Sequence, residues 1–213
     1  MASFGRVEVD AVYARFTLHT ADPARLGEVI NHYEHDVAEV FAHEPGSRGM
    51  SILVNDDLGV ALVKAYWSTE EAMRSNDATF ADPLHDAAFF GATVSIERYE
   101  VVRFVHVAPA QPGAAVSLTR LEFEPPRLEE VRAAYDDAAV GPLTVFDGFC
   151  SAVMFVDAQN GRSATEITWR DGDALIAARG VTAALRLQAL SAGTATVRGI
   201  EQYRVDFHSV EVD

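Results

Sequence analysis

One stretch of this chain is written twice. Pro23-Ala-Arg25-Leu26-Gly-Glu28-Val29 returns 102 positions later as Pro125-Pro-Arg127-Leu128-Glu-Glu130-Val131. At the same displacement Tyr33 matches Tyr135, Gly46 matches Gly148 and Trp67 matches Trp169. Ile96-Glu97-Arg-Tyr99-Glu-Val101 returns as Ile200-Glu201-Gln-Tyr203-Arg-Val205, now displaced by 104. Five matches in one order mean that each copy is a supersecondary unit of about 100 residues. The chain of 213 residues divides into a first module, 1–107, and a second, 115–213. The prolines and glycine of His106-Val-Ala-Pro-Ala-Gln-Pro-Gly-Ala114 mark the linker between them.

Within the first copy, Val12, Ala14, Phe16 and Leu18 alternate with Tyr13, Arg15, Thr17 and His19, the period of a half-buried strand. Asp22 before Pro23 supplies an N-cap acceptor and a proline at the first helical position. Leu26, Val29, Ile30, Tyr33, Val37, Val40 and Phe41 then recur at helical spacing, and Pro45-Gly46 ends the run. Met50–Val54 and Val60–Tyr66 read as a hairpin across Asn55-Asp-Asp-Leu-Gly59. Ser68-Thr-Glu-Glu71 has capping-box spacing and opens a second helical stretch towards Phe90, and Val94–Val105 closes the copy as a strand. The second copy follows the same order, with its hairpin turn at Asp157-Ala-Gln-Asn-Gly161.

The order β-α-β-β-α-β predicts an α+β fold of two tandem ferredoxin-like modules, each an antiparallel sheet with its helices on one face. The uncovered face of each sheet needs a partner, and two copies in one chain supply it as an intrachain barrel. The free unit is then a monomer or a dimer of such barrels. Two strand registers relate the copies. Without a gap Thr17 falls on Thr119; with a three-residue gap Phe16 and Leu18 fall on Leu121 and Phe123, which is the preferred reading. The choice decides which side chains are buried, because a shift by an odd number exchanges the two faces.

Charge limits the partners. With 32 acidic residues against 17 basic ones the formal net charge is −15, and no Lys/Arg cluster offsets it. Nucleic acid and anionic lipid are disfavoured. No apolar run approaches the length of a membrane span, and the amino terminus has no signal-peptide pattern, so a cytoplasmic location is expected. The single cysteine, Cys150, sits in a strand-like run and reads as a buried, inert thiol. His32, His35, Asp36, Glu39 and His43 share one side of the first helix, and the side reads as a solvated face rather than a metal site. No phosphate loop, Ser/His/Asp order or zinc pattern is present, and no cofactor is expected.

A βαββαβ unit with Pro45-Gly46 before its second strand and Trp67-Ser-Thr-Glu-Glu-Ala72 after its third resembles the antibiotic-biosynthesis monooxygenase family, of the dimeric α+β barrel superfamily. Trp169-Arg-Asp-Gly-Asp-Ala174 is a degraded second match, so the resemblance spans nearly the whole chain as a tandem duplication. The resemblance implies a cofactor-independent monooxygenase acting on a phenolic or polyketide-like aromatic small molecule. The alternative is a non-catalytic small-molecule-binding or accessory protein of the same fold.

On this reading Trp67 and Trp169 line cavities where an indole stacks on a planar substrate. His85, in Asp82-Pro-Leu-His-Asp86, accepts the phenolic proton, Asn76 orients a substrate oxygen, and Phe89 adds aromatic surface. Arg15 shares a strand face with Tyr13, Thr17 and His19; it either pairs across the barrel, for example with Glu122, or holds a polar ligand.

The chain departs from the family where many members carry a histidine nine or ten residues after the tryptophan. Asn76 and Asp77 stand there in the first copy, and Ala178 and Arg179 in the second. Haem-degrading relatives also use a first-strand asparagine, which neither Val12–His19 nor Val116–Phe123 contains. Haem titration should therefore give no tight, stoichiometric complex. A sharp absorption shift saturating at one haem per chain would overturn this.

Overall fold

The computed structural model describes residues 12–77, 93–191 and 195–210. In chain order the first copy contributes β1 (Val12–Thr20), α1 (Leu26–His32), α2 (Ala38–Ala42), β2 (Ser47–Asn55), β3 (Val60–Trp67), α3 (Glu70–Ser75) and β4 (Thr93–His106). The second contributes β5 (Ala115–Glu122), α4 (Leu128–Thr144), β6 (Phe149–Asp157), β7 (Arg162–Trp169), α5 (Gly172–Ala177), α6 (Arg179–Ser191) and β8 (Thr196–His208). The fold is α+β, and the strands hydrogen-bond in the order β1-β3-β2-β8-β5-β7-β6-β4 as a closed barrel.

Two compact units emerge, and they do not follow the repeat boundary. One holds 11–100, 111–113 and 203–213; the other holds 101–110 and 114–202, so β4 and β8 each contribute to both. In the first unit β3 lies between β1 and β2, and β2 also pairs with the end of β8, Leu53 opposite Val205. In the second, β7 lies between β5 and β6.

The register corrects the gapped alignment. Tyr13 lies opposite Trp67 and Thr17 opposite Val63; at a displacement of 102, Ala115 lies opposite Trp169 and Thr119 opposite Thr165. Phe16 therefore corresponds to Leu118 and Leu18 to Arg120, rather than to Leu121 and Phe123. The physical cause is a backbone contact at each hairpin turn. Ala21 N–H donates to the Gly59 carbonyl at 2.9 Å, and Phe123 N–H to the Gly161 carbonyl at 2.8 Å. Both glycines have positive φ, and a Cβ on Gly161 would lie 2.0 Å from the Phe123 carbonyl oxygen.

The helix starts form as their sequences predict. Asp22 accepts from Ala24 N–H at 2.9 Å with Pro23 at the first helical position. The second cap is Thr69 rather than Ser68, accepting from Ala72 N–H at 3.1 Å; its counterpart Asp171 accepts from Ala174 N–H at 2.8 Å. Ala72 and Ala174 are small for a reason, since a Cβ on Gly46 or Gly148 would come within 2.9 and 2.6 Å of their own Cβ atoms. The Pro-Gly turn and the Trp-to-Ala segment are thus two sides of one close contact.

Between α1 and α2 the helix widens into a π turn, Tyr33–Val37, with Ala38 N–H donating to the Tyr33 carbonyl. The widened turn changes the burial phase. Val29, Tyr33, Val37 and Phe41 point inward at four-residue intervals, and Val40, assigned inward by regular helical spacing, is 54% exposed.

Gly161→Ala should lower stability by about 1–3 kcal/mol from backbone strain alone. Gly27→Ala, in the first turn of α1 with nothing near its would-be Cβ, should raise it by about 0.5–1 kcal/mol. Urea unfolding of both variants checks the pair; an unchanged Gly161→Ala midpoint would remove the register argument.

Candidate functional site

Because residues directly opposite in antiparallel strands share a face, Arg15, Thr17 and His19 lie on the same side as Ala65, Val63 and Ala61 of β3 and Met50, Ile52 and Val54 of β2. That side packs under α1, the π turn and α2, where Val29, Tyr33, Val37, Phe41 and Trp67 complete a buried cluster. The face carrying Arg15 thus lies beneath the helices of its own copy. The pairing of Arg15 with Glu122 is not formed. Glu122 pairs with Arg198 at 2.5 Å, and Arg120 with Glu201 at 2.5 Å.

Arg15 is 2% exposed. Its guanidinium lies 5.5 Å from the Trp67 ring centroid and 3.5 Å from the Asp77 carboxylate, which Arg98 holds more closely at 2.7 Å. Burial brings the Arg15 pKa down to about 10, against the pull of Asp77, so it stays charged at neutral pH. Trp67 is fully buried, with the Phe41 ring edge-on at 5.1 Å. The guanidinium occupies the indole face assigned to a substrate.

Asn76 caps α3, is 3% exposed, and donates from Nδ2 to Glu44 at 3.1 Å. Its Oδ1 has no hydrogen-bond partner among the described residues. Trp169, also fully buried, is flanked edge-on by Phe146 and Phe149 at 6.3 and 5.8 Å. His85 and Phe89 lie outside the described residues.

His19 and Tyr33 add polar atoms whose place in the site periodicity alone does not reveal. Their rings pack at 4.9 Å, both residues are buried, and among the described residues neither imidazole nitrogen of His19 nor the Tyr33 hydroxyl has a hydrogen-bond partner. Such groups cost about 1–3 kcal/mol each when left unsatisfied. Burial, with the nearby His32 imidazole, drops the His19 pKa to about 4, and burial raises that of Tyr33 out of the physiological range. His19 is thus a neutral hydrogen-bonding group and a weak base. The histidine-rich side of the helix satisfies itself: His32 bonds Asp36 at 2.9 Å, and His35 and His43 bond the Asn31 and Glu39 carbonyls. Cys150 is a buried free thiol whose pKa burial raises.

The second copy carries Ser117 where the first has Arg15, and Leu121 where it has His19, at the same register positions. Its helix-covered face encloses a mainly apolar cavity of about 80 Å³ lined in part by Leu121, Val131, Tyr135, Ile167, Leu185 and Arg186.

No family model matches the chain. Two uncharacterized proteins of Mycobacterium tuberculosis are similar in sequence. One is 28% identical over 84% of this chain and 80% of its own length, the other 31% identical over 68% and 62%. Among solved structures, an anthrone oxidase-like protein superposes with a TM-score of 0.72 at 15% identity, covering 97% of this chain and 95% of that one. A ferredoxin-fold protein of Listeria monocytogenes related to antibiotic biosynthesis monooxygenases gives 0.52 at 11% identity, over 98% and 97%. These likenesses establish a monooxygenase-type fold.

The depressed His19 pKa has a measurable consequence. The folded chain resists protonating His19 down to about pH 4, whereas an unfolded histidine takes a proton near pH 6.5. Between these values the unfolded state binds more protons, so stability rises with pH. The contribution is complete above about pH 6.5 and lost towards pH 4, a swing of about 3 kcal/mol. His19→Leu, the residue at the second copy's counterpart, should remove it. Urea midpoints at pH 4.5 and 7.5 test this; equal acid sensitivity in parent and variant would refute it.

Proposed function

We propose that the first copy is a cofactor-independent monooxygenase site for a phenolic, polyketide-like aromatic. The observation that carries this reading is a buried, charged Arg15 beside Trp67, at a position where the second copy has serine; Asn76 adds a buried Oδ1 with no hydrogen-bond partner among the described residues. A guanidinium in a low-dielectric wall stabilises a phenolate far more than water-exposed charge does. The phenolate passes one electron to O₂, the two radicals join at a ring carbon bearing hydrogen, and loss of water leaves a quinone. One O₂ is consumed and one H₂O released.

In this scheme Arg15 holds the phenolate oxygen and Asn76 orients the ring. His85 accepts the proton, since His19 is too weak a base, and Trp67 and Phe89 supply aromatic wall. The substrate displaces the guanidinium from the Trp67 face. Trp169 fills core in the second copy. The complete burial of Trp67 favours a second reading, in which the same surroundings bind a hydrophobic small molecule without reacting.

Oxygen uptake with an anthrone-like phenol should proceed without added flavin or metal and survive chelator. His85→Ala should lower turnover by roughly 10²–10⁴-fold. Arg15→Gln should lower it by roughly 10²–10³-fold, with partial rescue by Arg15→Lys. Trp67→Phe should chiefly weaken binding, and Trp169→Phe only stability. If no phenol is oxidised faster than in buffer while Trp67→Phe still lowers affinity, the binding reading replaces the enzymatic one.

A further inference from the structure

The cavity of the second copy differs in chemistry from the polar site of the first. Its wall is built by Leu121, Val131, Ile167 and Leu185 with Thr119 and Thr182, and one basic group, Arg186, stands among them. Arg186 is half-buried on α6. Among the described residues no carboxylate pairs with it, in a chain whose acidic residues outnumber its basic ones 32 to 17. Among the described residues, loss of hydration is what acts on its charge, and it works against that charge. Several other arginines are placed against acids: Arg120 on Glu201, Arg198 on Glu122, Arg170 on Asp147 and Asp171. A partly desolvated guanidinium at an apolar cavity is complementary to an anion that carries an apolar body.

The cavity size narrows the occupant. About 80 Å³ is roughly half the 150 Å³ that admits benzene in an engineered apolar cavity, so the apolar part of the occupant is about half the size of that ring, a chain of about three carbons. We propose that the second copy binds a short aliphatic monocarboxylate, its chain among Leu121, Val131, Ile167 and Leu185 and its carboxylate on the Arg186 guanidinium. The position of Leu121, where the first copy has His19, makes this cavity a separate site with its own ligand class. It does not depend on the oxygenase reading.

Calorimetric titration of the full chain with butanoate, in the absence of any phenol, tests it. Butanoate should saturate at one per chain and bind at least tenfold more tightly than butan-1-ol, which has the same carbon count without the charge. Arg186→Gln should abolish that preference by weakening butanoate at least tenfold while leaving butanol binding unchanged. Ala134→Phe, which fills the cavity from α4, should weaken both ligands. Arg186→Gln should also leave any phenol-dependent oxygen uptake as in the parent chain, so the two readings fail separately. Equal affinity for butanoate and butanol, full butanoate binding by Ala134→Phe, or no saturable butanoate binding at millimolar concentration would each overturn the proposal.

Discussion

At each hairpin a backbone amide reaches across to a glycine carbonyl: Ala21 to Gly59 in one copy, Phe123 to Gly161 in the other. That contact leaves no room for a side chain on the glycine, and it holds the first strand in a single register against the third. Everything chemical in the structure follows from that register. Shifted by one residue, Arg15, Thr17 and His19 would leave the helix-covered side, and Ala14, Phe16 and Leu18 would replace them. The first copy would then have an apolar interior resembling that of the second.

The repeat made the architecture legible, because matched Gly46/Gly148 and Trp67/Trp169 pairs mark equivalent points on two copies of one unit. The order of elements and the hairpins followed from local pattern. Register was harder. Pairing Phe16 and Leu18 with Leu121 and Phe123 maximises hydrophobic agreement, yet the two copies have diverged in what they bury, and Leu18 answers to Arg120. Apolar similarity misleads wherever one copy has kept polar groups inside. The turn glycines held the better signal, since Gly59 and Gly161 are themselves 102 apart.

The site was legible in part. Trp67, Asn76 and Arg15 were singled out by type and position, and the structure gathers Arg15 and Trp67 beneath one set of helices. In sequence Arg15 stays open between pairing across the barrel and holding a polar ligand, because strand alternation identifies two faces without saying which one the helices cover. His19 was visible as a member of that strand face. Its isolation was not, because the absence of a hydrogen-bond partner is a property of three-dimensional surroundings. The π turn escaped a 3.6-residue reading for a similar reason: Val40 and Phe41 fit a regular stripe equally well until the winding is known.

That change of winding bears on how anything reaches the sealed interior. The segment from Pro23 to Ala42 passes through 3₁₀, α and π geometry in twenty residues. The π turn sits where Tyr33 covers His19. Helical hydrogen bonds are least uniform there, so local opening is concentrated over the buried imidazole rather than spread along the helix. The amides of this turn are then the first of the helix to exchange with water, and His19 is the buried group that their opening uncovers.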